Sequence, residues 1–97
     1  MPAYLVANYE VTDPEGYRNY QKSASPIMAG GGKLLVLDID SVAKEGDAAP
    51  QTVVIEYPTK EAALAAYESE EYQAVIGIRL DATTNGRCVI VEGPPGA

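Results

Sequence analysis

The chain has 97 residues, 46% apolar and 22% charged, which suits one globular domain with a real core and leaves no room for two. Its net charge of −7 excludes the basic face that nucleic acids and anionic membranes require. A single cysteine, Cys88, excludes an internal disulfide and fits a reducing compartment.

In chain order, Tyr4 to Glu10 reads as a strand rich in aromatic and aliphatic residues. Asp13 is a good helix N-cap, Pro14 suits the first turn, and Thr12 with Glu15 has capping-box spacing. A helix therefore starts here. Tyr17, Tyr20, Ala24 and Ile27 form its apolar stripe, and Pro26 is expected to kink or end its last turn. Gly30, Gly31 and Gly32 stop it, because only glycine enters left-handed backbone cheaply. Lys33 to Ile39 is a second strand. Asp40 to Pro50 is a polar loop, and Gln51 to Tyr57 a third strand.

Thr59 caps a second helix carrying Ala62, Ala63, Ala66 and Tyr67. Ser69 caps a further helical segment carrying Tyr72, Val75 and Ile76. Thr83 to Gly86 reads as a turn, Arg87 to Glu92 as the fourth strand, and residues 93–97 as a loose tail. The order βαββαβ over residues 1–97 is that of an α+β, ferredoxin-like domain with a four-stranded antiparallel sheet. The opening Met1-Pro2-Ala3-Tyr4 lacks the basic, apolar start of a secretion signal, and no aliphatic run is long enough to span a membrane, so a cytoplasmic location is expected.

Two helices cover one face of such a sheet. Yet Leu34 to Leu37, Val53 to Ile55 and Cys88 to Val91 are continuous apolar runs, as expected of strands buried on both faces. The uncovered face calls for a partner, and a second copy is the simplest one, so a homodimer is expected.

An ordered set of residues then carries a resemblance. It comprises Asp13-Pro14-Glu15, Tyr17 and Tyr20; Gly31-Gly32-Lys33; Glu45-Gly46-Asp47 with Pro50; and Val53 to Pro58. It continues through Ala62-Ala63, Tyr67, Ser69, Glu71-Tyr72-Gln73 and Arg79 to Val91-Glu92-Gly93. No single motif is specific, but the whole series resembles the domain-of-unknown-function family thirteen-thirty. The resemblance implies a dimeric α/β barrel in which two ferredoxin-like sheets face each other. It brings no settled activity; wider relatives of the fold include cofactor-free monooxygenases, muconolactone isomerases and haem-degrading enzymes. The chain departs from the pattern at Tyr67, where relatives often carry Trp, and at Asp38 to Asp40, where they often carry a glycine pair.

Chemistry-bearing residues are few. The glycine triplet is no phosphate loop, since Leu34 rather than Ser or Thr follows Lys33 and the segment leads from helix to strand. With no histidine in the chain, the commonest general base, most transition-metal sites and the usual haem ligand are missing, so no metal and no cofactor are expected. Cys88 reads as a buried, inert thiol. Asn8, Glu10 and Glu56 are polar groups in apolar strands; a buried carboxylate among them would be an acid or base, and one at a strand end would be solvated. Tyr17, Tyr20, Tyr67 and Tyr72 fit the core by spacing and can also line a pocket between helices and sheet. Arg79, two helical turns beyond Tyr72, can hold a carboxylate or enolate oxygen there, or make an ordinary ion pair. The ligand-binding candidates are thus Asn8, Glu10, Tyr17, Tyr20, Glu56, Tyr72 and Arg79.

Three functions remain open. One is the binding of a small aromatic or carbonyl metabolite. Another is a cofactor-independent monooxygenase or isomerase-like activity. The last is a non-catalytic dimeric accessory or stress module.

Overall fold

A computed structural model describes residues 1–94. Strand β1 is Ala3–Val11, helix α1 Pro14–Ser23, β2 Lys33–Asp38, β3 Gln51–Tyr57, α2 Lys60–Glu68, α3 Glu70–Ala82 and β4 Thr83–Glu92. A short 3₁₀ turn, Ser25–Met28, follows α1. The strands form one antiparallel sheet in the order β2-β3-β1-β4, so the first and third strands are central neighbours, as the βαββαβ reading requires. The helices lie on one face.

Local chemistry places these elements. The Asp13 side chain accepts from the Gly16 amide at 3.1 Å, Thr59 from Ala62 at 3.1 Å and Ser69 from Tyr72 at 3.1 Å, so each helix has a side-chain N-cap. Thr12 does not share the capping of α1. Its amide and hydroxyl both donate to the Ala82 carbonyl, tying the start of α1 to the end of α3. Pro26 ends the regular helix, and the chain continues as the 3₁₀ turn. Gly31 then adopts φ +92°, and a Cβ on Gly32 would lie 2.8 Å from the Met28 Cα, so the glycines serve both conformation and space.

Alternation sets the two faces. Ala3, Leu5, Ala7 and Tyr9 of β1 are buried beneath the helices, with Ile55 and Tyr57 of β3 beside them. The Tyr57 hydroxyl donates to the Ile27 carbonyl under this layer. Tyr4, Val6, Val36, Val54, Val89 and Val91 occupy the opposite face by register. That face is bare: Val89 is 54% exposed. In edge strand β2, whose register shifts between Leu34 and Val36, every residue is exposed. The continuous apolar runs thus serve a covered face and an uncovered one.

Two boundaries differ from the sequence reading. Thr83 to Gly86 is no turn, because β4 begins directly after α3. The Asn85-Gly86 signal marks a β-bulge opposite Tyr9, with Asn85 at φ 53°. Asn85 also donates to the Asp47 carbonyl at 2.9 Å, holding the 39–50 loop against the bulge. The tail expected to be loose from Gly93 is tied at its first residue, whose amide donates to the Pro2 carbonyl at 2.9 Å; residues 95–97 of that tail lie outside the described residues. Among the described residues, no helix is long and apolar enough to cross a membrane.

Candidate functional site

Helices α1 and α3 pack together over the sheet. Three-residue spacing puts Tyr17 and Tyr20 of α1 inward, and seven-residue spacing does the same for Tyr72 and Arg79 of α3. Beneath them, Tyr9 rises from the covered face of β1. The Tyr9 and Tyr17 hydroxyls lie 2.7 Å apart, Gln51 Nε2 donates to the Tyr17 hydroxyl at 2.7 Å, and the Tyr20 and Tyr72 hydroxyls are also 2.7 Å apart. Ring centroids 5.6–6.4 Å apart connect Tyr9, Tyr17, Tyr20 and Tyr72 into one aromatic layer. Each of these phenols is paired, which avoids the roughly 1–3 kcal/mol cost of an orphaned buried polar group.

Arg79 sits on this layer. It is only 6% exposed, with its guanidinium carbon 5.4 Å from the Tyr9 ring centre and 5.9 Å from that of Tyr20. Such contacts supply about 0.5–2 kcal/mol each. Burial works against its charge, and the strongest opposing influences, which leave its pKa raised, come from Tyr72, Tyr20 and Tyr9; none is a carboxylate. One side of Arg79 faces an open cleft of about 440 Å³ between the α2–α3 layer and β4, whose walls include Tyr9, Tyr67, Leu80, Thr83, Thr84 and Cys88. A more apolar cleft of about 290 Å³ lies on the β2 side of the tyrosines, against Met28, Leu34 and Leu37.

Burial raises the pKa of Tyr9 and Tyr72 far above that of a free phenol, and their hydrogen bonds to Tyr17 and Tyr20 add to it. Tyr20 is also raised by burial, opposed by its hydrogen bond with Tyr72 and by the Arg79 charge. Burial raises Cys88 too, against the pull of Arg79. At neutral pH the site therefore offers a cation, neutral phenols and a thiol, with no base among them. Among the described residues, no group of three His, Cys, Asp or Glu side chains is placed to hold a metal.

The structure brings four of the seven candidates together: Tyr17, Tyr20, Tyr72 and Arg79. The other three lie elsewhere. Asn8 points to the open face, where its amide donates to Ala49 O, Gln51 O and Thr52 Oγ1 and its oxygen accepts from the Ala49 amide. It is a tether for the 39–50 loop. Glu10 is exposed near the end of β1. Glu56 pairs with Tyr4, six residues from Glu10 along β1 and hence roughly 20 Å away. Neither carboxylate shares a face with Arg79. Tyr9 and Gln51 belong to the site without having been singled out. Their signal was alternation: both are covered-face positions, but each is polar enough to pass for a strand-end residue.

The sequence profile of the family described as Domain of unknown function (DUF1330) matches residues 2–94. The chain belongs to the DUF1330 family. No protein of curated function matches it. Among solved structures, this DUF1330 chain is similar to a protein of unknown function from Rhodopseudomonas palustris, with TM-score 0.75, 17% identity, and coverage of 96% of this chain and 82% of that one. It is also similar to a dimeric ferredoxin-like protein of unknown function from Jannaschia, with TM-score 0.70, 13% identity, and coverage of 96% and 100%. A candidate antibiotic biosynthesis monooxygenase from Nitrosomonas europaea matches with TM-score 0.56, 16% identity, and coverage of 98% and 93%. At these identities the likeness shows that this DUF1330 domain has the ferredoxin-like fold.

Proposed function

We propose that this protein binds a small aromatic or carbonyl metabolite through an anionic oxygen, a carboxylate or an enolate, held by Arg79 in the cleft beside β4. The observation that carries this reading is a nearly buried guanidinium whose strongest electrostatic neighbours are phenols and a thiol, next to open volume. A buried cation without an opposite charge is unfavourable, and an incoming carboxylate supplies one in bidentate geometry. Aromatic walls at Tyr9 and Tyr67 suit a planar body. A thermal-melt screen of benzoate, hydroxybenzoates and short 2-oxo acids tests the reading. Hits raise the melting temperature of the wild type by mass action and leave Arg79→Gln unmoved. A panel without hits, or hits that stabilise both proteins equally, refutes it.

The protein works as a homodimer, most simply with the bare sheet faces of two copies together. Support comes from the exposed valines of that face and from the dimeric state of the Jannaschia relative. Light scattering should give twice the chain mass, and Val89→Glu with Val91→Glu should return it to the monomer. Catalysis of the monooxygenase or isomerase kind is a second reading, favoured by the likeness to the Nitrosomonas protein and by an arginine able to stabilise an enolate. Oxygen uptake with an added phenol, lost in Arg79→Gln, distinguishes it from binding alone. The lone cysteine fits a cytoplasmic setting.

A further inference from the structure

The cleft at Arg79 does not end at Cys88. Tyr67 and Cys88 also line a second opening of about 360 Å³, which continues along β4 beneath α2 to Leu64 and Ile90. Cys88 and Ile90 pair with Ala7 and Leu5, so both stand on the helix side of the sheet, yet neither is fully buried. Leu64 and Leu80 are 40% and 58% exposed on the helices above. From Thr84 to Ile90 the strand rises roughly 20 Å. The two openings thus share a wall at Tyr67 and Cys88, with Arg79 and Arg87 on the first and an aliphatic lining on the second. At the far end Lys60 and Glu68 carry opposite charges, so no net charge competes there for an anionic head.

We infer that the ligand is an elongated, unbranched carboxylate, with its head on Arg79 and its alkyl tail laid over Cys88 toward Leu64 and Ile90. This rests on the proposed anion-binding role of Arg79 alone and sets an aliphatic chain in place of the compact aromatic body considered there. A compact aromatic acid would fill only the first opening. A tail along the second opening removes the exposed Leu64 and Ile90 surfaces from water, and each methylene so covered strengthens binding by up to about fourfold.

Calorimetric titration with acetate, butyrate, hexanoate, octanoate and decanoate, kept below micellar concentrations, tests the inference. Wild-type affinity should rise by about two- to fourfold per methylene. Leu64→Glu should flatten that slope while leaving the shortest members unchanged, and Arg79→Gln should weaken every member. Decanoate, but not acetate, should slow alkylation of Cys88. An affinity independent of chain length, or a slope that survives Leu64→Glu, overturns the inference while benzoate binding at Arg79 still stands. Failure of every carboxylate, aromatic and aliphatic, overturns both.

Discussion

Replacing Arg79 with methionine isolates what the buried charge does. A guanidinium paired with a buried carboxylate would leave that partner stranded, and the loss would reach about 3–5 kcal/mol. Here the nearby groups are Tyr9, Tyr20, Tyr72 and Cys88, all neutral at pH 7. Removing the cation forfeits two ring contacts of about 0.5–2 kcal/mol each and some packing of its stem. It also relieves the cost of holding a charge away from water. Methionine refills most of the volume, and the flanking cleft lets the site adjust. The expected net loss is about 1 kcal/mol, which for a domain of this size is roughly 4–8 °C in melting temperature. Urea denaturation followed by circular dichroism measures it, with the m-value checked for constancy. In the same protein, stabilisation by any carboxylate hit should vanish. A loss of 3 kcal/mol or more without ligand would mean that Arg79 is tied to a structural anion, and the reasoning that hands it to a ligand would fail.

Alkaline pH should unfold the protein early. Burial pushes Tyr57 up to about 12 and raises Tyr9, Tyr20 and Tyr72 as well. Raised folded pKa values give stability that is complete below the unfolded value near 10 and is lost as pH climbs toward 12. Tyr57 alone accounts for roughly 2–3 kcal/mol of that loss. Tyrosinate absorbance should show these four silent until a cooperative transition, and a smooth normal titration of all seven tyrosines in folded protein would contradict it. Asn8→Leu should cost about 2–3 kcal/mol, because the Ala49 amide and the Gln51 and Thr52 acceptors lose their partner; faster proteolysis in the 39–50 loop is the readout, and an unchanged cleavage rate would refute the tether. Gly32→Ala should cost about 1–3 kcal/mol through the clash with the Met28 backbone, measured by chemical denaturation, and a neutral result would mean the turn can yield.

Local chemistry in the sequence already determined much of this protein. Asp13, Thr59 and Ser69 announced helix starts, Pro26 and the glycine triplet announced an end, and the bounds of β3 followed from its β-branched run, because caps, breakers and strand formers act within a few residues. Continuous runs in β2, β3 and β4 likewise told that both sheet faces are apolar. Helical spacing placed Tyr72 and Arg79 on one stripe. The same local logic misjudged Asn85-Gly86, whose left-handed backbone serves a bulge rather than a turn, since only pairing with β1 shows that two residues there oppose Tyr9 alone. Which polar groups meet was beyond any single segment. Asn8, Glu10 and Glu56 stood with Arg79 among the ligand-binding candidates, but a sheet one residue thick separates them, and nothing in the spacing of one strand says which face the helices will cover. That choice came from burial summed over the whole sheet, which put Ala3, Leu5, Ala7 and Tyr9 under the helices. With it, Tyr9 and Gln51 joined α1 and α3 and the carboxylates went to the other side, so tertiary packing alone left Arg79 among phenols beside an open cleft.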